Sequence, residues 1–120
     1  MKLPSEASLL RVFIGESDKR GGRPLYEAIV EAARKRGLAG ATVLRGFIGY
    51  GANSRIHTSK ILRLSEDLPI VVEIVDEEEK LEDFIPELDG MVDEGLVTIE
   101  KVRVIAYRHG GKPVAGGGKQ

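Results

Sequence analysis

Two stretches of this chain alternate at period two. Leu10, Val12 and Ile14 interleave with Leu9, Arg11 and Phe13, and Ile70, Val72 and Ile74 interleave with Val71, Glu73 and Val75. This alternation predicts strands over residues 8–15 and 68–75. Two further runs rich in β-branched residues, 42–50 and 97–107, read as strands as well. Between them the period changes. Leu25, Ala28, Ile29, Ala32 and Ala33 recur at offsets of three and four, which predicts a helix that starts at Pro24 and stops at Gly37. Glu27 near its start and Arg34, Lys35 and Arg36 near its end suit the helix dipole. A second helix carries Leu81, Phe84, Ile85, Leu88, Met91 and Val92 on one stripe. Asp76 is its expected N-cap, Glu79 completes a capping box, and Gly95 closes it. Pro86 lies inside that stripe and removes the donor to the Glu82 carbonyl, so a kink or a split is expected there.

The order is strand, helix, strand, strand, helix, strand. The two halves echo each other: Arg36-Gly37-Leu38 leads to Thr42-Val43, and Glu94-Gly95-Leu96 leads to Thr98-Ile99. Two βαβ-like halves joined by a hairpin make an α+β, ferredoxin-like split βαβ (βαββαβ). With both crossovers right-handed, two helices lie on one face of a four-stranded antiparallel sheet. Residues 1–109 read as a single domain and the glycine-rich 110–120 as a flexible tail. The second sheet face is half apolar and is expected to carry Arg11, Arg45, Glu73, Lys101 and Arg103. A face of that kind predicts packing against other copies of the chain.

Bulk composition narrows the function. The 120 residues contain no cysteine, which excludes disulfides and thiolate metal sites. No apolar run approaches the roughly 20 residues of a membrane span, and no signal-peptide pattern opens the chain, so a cytoplasmic protein without membrane insertion is expected. The 18 basic and 19 acidic residues nearly cancel, whereas a protein that coats nucleic acid shows a basic excess. The two histidines, His57 and His109, form no nucleophile–base order and no metal-ligand spacing, which argues against an enzyme.

The candidate chemistry sits between the second and third strands. Residues 46–60 run through Gly46, Gly49 and Gly51 and end with Arg55, His57 and Lys60 close together. Hairpin loops usually hold 2–5 residues, and far longer ones tend to be functional. Gly49 and Gly51 permit backbone shapes that aim N–H groups at an anion, while Arg55 and Lys60 supply charge and His57 a donor. In a split βαβ fold the first and second strands exit at one end of the sheet. Lys19, Arg20, Gly21, Gly22 and Arg23 precede a helix start there, and two cationic, glycine-bearing loops at one end favour a phosphate-bearing ligand.

Three segments resemble a known family: 40–46 (Gly-Ala-Thr-Val-Leu-Arg-Gly), 54–60 (Ser-Arg-Ile-His-Thr-Ser-Lys) and 68–76 (Leu-Pro-Ile-Val-Val-Glu-Ile-Val-Asp). Together they look like the PII-like proteins of the DUF190 family, over roughly residues 7–108. The resemblance implies a homotrimer related to the PII signal-transduction proteins. Those bind adenine nucleotides in clefts between subunits and move a long hairpin, the T-loop, to regulate a partner. By position, residues 51–60 are its counterpart. The implied ligand is AMP, ADP or ATP; magnesium is compatible with it, but no residue argues for the ion. The implied partner is a transporter or a metabolic enzyme. The nucleotide-binding set is then Arg45, Gly49, Tyr50, Gly51, Asn53, Ser54, Arg55, His57 and Lys60, joined by Arg23, with Arg103, Tyr107 and Arg108 reaching in from a neighbouring subunit.

Two departures qualify the resemblance. The basic phosphate loop that PII proteins carry before the last strand is replaced here by Asp93-Glu94-Gly95, and residues 19–23 are the candidate substitute. Tyr50 precedes the loop, so uridylylation does not carry over. The competing readings are a scaffold without a nucleotide and a trimer of the CutA type responding to divalent metal. An RNA-recognition module has the same strand order, but it needs stacked aromatics on its central strands, and Phe13 stands alone.

Overall fold

The computed structural model describes residues 5–50, 67–109 and 112–113. In chain order these form β1 (Glu6–Gly15), β2 (Lys19–Arg20), β3 (Arg23–Pro24), α1 (Leu25–Lys35), β4 (Ala41–Arg45), β5 (Pro69–Asp76), α2 (Glu78–Asp89), β6 (Leu96–Arg103), β7 (Arg108–His109) and β8 (Lys112–Pro113). The main sheet has the order β4-β5-β1-β6 and is antiparallel throughout, with both helices on one face. That is the ferredoxin-like split βαβ arrangement. Of the expected glycine-rich tail, Lys112–Pro113 pair with Arg108–His109, and the remaining residues lie outside those described.

One apolar layer holds the elements together. Leu10, Val12 and Ile14 of β1 and Ile70, Val72 and Ile74 of β5 are buried against Leu25, Ile29 and Ala33 of α1 and Leu81, Phe84 and Leu88 of α2. The helix ends differ from each other. After α1, Gly37 donates to the Arg34 carbonyl (2.9 Å) and Leu38 to the Ala33 carbonyl (3.1 Å), with Gly37 at φ +76°. That is a Schellman ending, and Leu38 packs on the core as such endings favour. The second helix stops at Asp89, well before Gly95, so the echo between the two halves is one of sequence and not of role. Gly95 instead lies against the Phe13 carbonyl, 2.5 Å from where a Cβ would stand.

Two details of α2 depart from expectation. Its N-cap is Glu77, with no side-chain cap, so the expected capping box does not form. Asp76 is fully buried and serves as an acceptor at the junction instead. Its Oδ2 accepts from the Ala39 N–H at 2.9 Å, and its Oδ1 from the Glu77 N–H at 2.6 Å. The helix also runs unbroken through Pro86. The carbonyl that loses its donor belongs to exposed Glu82, where water can replace the missing bond.

Register sorts the side chains of the open face into bands. Leu44, Val71, Phe13 and Leu96 are paired in one row across all four strands. The next row is Thr42, Glu73, Arg11 and Thr98, where Arg11 Nε meets Glu73 at 3.0 Å and Arg11 also reaches Glu100 at 3.3 Å. These carboxylates, Glu73 foremost, hold the Arg11 guanidinium above its usual pKa. Three charges expected on this face lie on the other. Arg45 pairs with Ile70, Lys101 with Ser8 and Arg103 with Glu6, which puts all three on the helix side. The Lys101 contact with Glu78 of α2, at 3.7 Å, agrees. An edge strand leaves room beside the helices for such side chains, which is why an alternation read on a central strand misassigns them.

Val72 and Val71 point to opposite faces. Val72→Asp places an unpaired carboxylate at a fully buried position and is expected to cost more than about 4 kcal/mol, abolishing the folded circular-dichroism spectrum. Val71→Asp is expected to retain that spectrum.

Candidate functional site

The exits of β1 and β4 and the start of β5 meet at one end of the sheet. Gly15 pairs with Pro69, the Glu16 N–H donates to the Leu68 carbonyl at 2.8 Å, and the Gly46 N–H donates to the Pro69 carbonyl at 2.6 Å. The Pro69 ring backs the chain as it leaves β4: a Cβ at Gly46 would stand 2.6 Å from its Cγ, and one at Gly49 3.1 Å. The residues that follow β4 carry their side chains into solvent. Phe47 is 77% exposed, Ile48 58% and Tyr50 72%. Asp67, at φ +35°, accepts from the Ser17 N–H (3.0 Å) and hydroxyl (2.8 Å), which ties the start of β5 to the loop after β1.

The second basic loop reaches the same end, but it is a tight hairpin and not an open cradle. Lys19 pairs with Pro24 and Arg20 with Arg23 across a two-residue turn at Gly21 and Gly22, whose φ values are +62° and +83°. Pro24 is the N-cap of α1 and not its first residue. The first helical N–H, of Leu25, is taken by the Asp18 carbonyl at 2.8 Å. The arginines here have partners within the chain. Arg20 donates to the Gly90 carbonyl just after α2 (3.1 Å), where a cation suits the helix dipole. Arg23 meets Glu31 at 2.7 Å, and Arg45 meets Glu16 at 3.4 Å. The Arg23 hydrogen bond holds Glu31 below the usual carboxylate range. The pair therefore contributes fully above the unfolded carboxylate value, and the contribution is lost as pH falls through the lowered one.

Arg45, Gly49, Tyr50 and Arg23 thus share one end of the molecule. Arg103 and Arg108 do not. Glu6 pairs with Arg103 at the opposite end of β1, and eight paired residues between β1 and β5 separate the ends by roughly 25 Å. Within one chain these two arginines cannot join the others. Tyr107 is committed there, its hydroxyl donating to the Ala39 carbonyl at 3.1 Å. Gly51, Asn53, Ser54, Arg55, His57 and Lys60 lie outside the described residues. Among those described, no cluster of histidine, aspartate and glutamate is placed to hold a metal ion, and no helix is long and apolar enough to cross a membrane.

Glu16, Asp67, Pro69 and Phe47 were not singled out by pattern. Pro69 falls within the 68–76 segment that carries the family resemblance, and Phe47 is an aromatic between two glycines directly after a strand. Glu16 gains its partner Arg45 from about 30 positions away, and Asp67 its partner Ser17 from about 50, which spacing does not reveal.

The DUF190 family model, described as an uncharacterized ACR, matches residues 7–104. A UPF0166 protein of Aquifex aeolicus (strain VF5) is 46% identical over 97 residues, covering 81% of this chain and 91% of its own. A UPF0166 protein of Methanocaldococcus jannaschii is 34% identical over 100 residues, covering 82% and 92%. Among solved structures, one described as a PII-like signaling protein from Thermus thermophilus superposes with a TM-score of 0.59 at 18% identity, over 88% of this chain and 94% of that one. CPII of Thiomonas intermedia, solved with ADP and bicarbonate, superposes with a TM-score of 0.53 at 19% identity, over 82% and 88%. At such identities the structural likeness concerns the fold alone.

The contact between Gly46 and Pro69 is open to test. Gly46→Ala is expected to cost about 1–3 kcal/mol in chemical denaturation, as overpacking does. Pro69→Ala in the same chain should recover most of that cost, giving a clear coupling in the double-mutant cycle.

Proposed function

This chain belongs to the DUF190 family, and from that membership we propose that it is a PII-like regulatory protein that binds an adenine nucleotide at the Arg45 end of its sheet and signals through residues 51–60. The observation that carries the reading is the convergence at one sheet end of Arg45, Gly49 and Tyr50 with the loops after β1 and before β5. These are the residues from which the long connection 46–68 departs and to which it returns. A ligand held there acts directly on both ends of that connection.

The chemistry suits a nucleotide. A guanidinium grips phosphate oxygens with two parallel hydrogen bonds, and Arg45 lies on an exposed strand end with the Glu16 carboxylate beside it, at 3.4 Å. Arg55, His57 and Lys60 are the further cations of the connection, with Gly51, Asn53 and Ser54 as backbone and side-chain donors. The exposed Tyr50 ring offers a flat apolar surface for a base. The ADP bound by the Thiomonas CPII supports an adenine nucleotide as the ligand class.

Assembly belongs to the same reading. The row Leu44, Val71, Phe13 and Leu96 is an apolar band across the open face, and Leu44 and Leu96 are 48% and 56% exposed. Burying such a band against other copies removes it from water. A homotrimer built on this face leaves seams, and Arg103 and Arg108 reach the site only across a seam, from a neighbouring copy.

Calorimetric titration with AMP, ADP and ATP tests the proposal. Saturable binding of at least one is expected, and no binding of any overturns it. Arg55→Ala is expected to weaken that binding about tenfold or more, as loss of a charged hydrogen bond does, with folding stability within about 0.5 kcal/mol of the parent. In size-exclusion chromatography the parent chain should elute as a trimer and Val71→Asp as a smaller species. A parent that elutes as a monomer at micromolar concentration removes the seam from the proposal.

A further inference from the structure

The arginines at the candidate site are each met by a group of the chain itself, but not in equivalent ways. Arg20 is absorbed by the end of α2, and Arg23 is locked to Glu31 on α1 at 2.7 Å. Arg45 is held by Glu16 at the longer distance of 3.4 Å, through Nε, while its side chain remains 58% exposed. Both members of this pair are anchored through their backbones, Arg45 by its pairing with Ile70 in the sheet and by the bond from the next N–H, of Gly46, to the Pro69 carbonyl. The Glu16 N–H is bonded to the Leu68 carbonyl, and its neighbour Ser17 is bonded twice to Asp67. Glu16 is thus anchored through its backbone, and only its side chain engages Arg45.

An anionic ligand that uses the Arg45 guanidinium must displace a carboxylate already seated there. We propose that Glu16 is a resident counter-ion, an internal competitor that keeps Arg45 occupied in the unliganded protein and sets the threshold for ligand capture. The inference rests on the nucleotide reading above and adds a control to it. When the competent form of a site is only partly populated, apparent affinity falls by that fraction. An exposed ion pair is strong enough to hold the fraction near one in a few. Displacement breaks only a side-chain contact, because the backbone bonds of residues 16 and 17 are independent of it.

The test is a double-mutant cycle read by calorimetric titration of ADP. Glu16→Gln keeps the side chain's size and removes its charge. Relative to the parent, it is expected to bind ADP about threefold to fivefold more tightly, the size an exposed pair can supply. Arg45→Gln should bind more weakly, and adding Glu16→Gln to it should change the affinity by less than about 1.5-fold, since the pair is already broken. Equal tightening in both backgrounds means that Glu16 acts as a diffuse negative charge, which overturns the proposal. Unchanged or weaker binding by the single variant overturns it as well. In both cases the nucleotide reading survives, because ADP still binds the parent. No saturable binding of AMP, ADP or ATP to the parent or to any variant overturns the two together.

Discussion

The structure depends on the burial of one face of two adjacent strands. Leu10, Val12 and Ile14 stand opposite Ile74, Val72 and Ile70, and all six are covered by the two helices. Side chains on a strand alternate strictly, so slipping β1 by one residue against β5 would turn the whole set into solvent. At about 25 cal/mol per Å² of apolar surface, no local hydrogen bond could offset that loss. The register is therefore stiff, and everything at the sheet ends inherits its position from it. Gly15 lies beside Pro69 and Arg45 beside Ile70 because the core places them there.

From this constraint the two ends acquire different character. At one end a buried carboxylate, Asp76, closes the junction by accepting the Ala39 N–H, and Tyr107 takes the carbonyl of the same residue. Both polar groups of the half-buried Ala39 are thereby satisfied within the chain. At the other end the polar groups are partly exposed side chains on strand ends, loops and the first helix, and they pair among themselves: Arg45 with Glu16, Arg23 with Glu31, Ser17 with Asp67. Pairs of this kind exchange readily for other partners, because each is worth little in water. The first end is held by buried hydrogen bonds, and the second by exposed side-chain pairs.

The open face of the sheet reflects the same division. Its polar row is internally matched, with Arg11 lying between Glu73 and Glu100. Its apolar row is half-buried at Val71 and Phe13 and exposed at Leu44 and Leu96 on the outer strands. That band lies at the Arg45 end of the sheet, on the face opposite the Arg45 side chain.

Period two, β-branched runs and period 3.6, with Pro24 and Gly37 as punctuation, were enough to determine the four strands of the main sheet, two helices and their order, although the second and fourth of these strands end at Arg45 and Arg103, short of the expected 50 and 107. What only tertiary structure decided is where charge goes. Lys101 and Arg103 stand on the helix side because β6 is an edge strand, and Asp76 is a buried acceptor because the loop after α1 brings it an N–H. Arg20 and Arg23 have the look of an anion loop in sequence, yet α2 and α1 supply their partners. A hydrophobic pattern is a property of neighbours in the chain, whereas the partner of a charge is whichever group the fold carries to it.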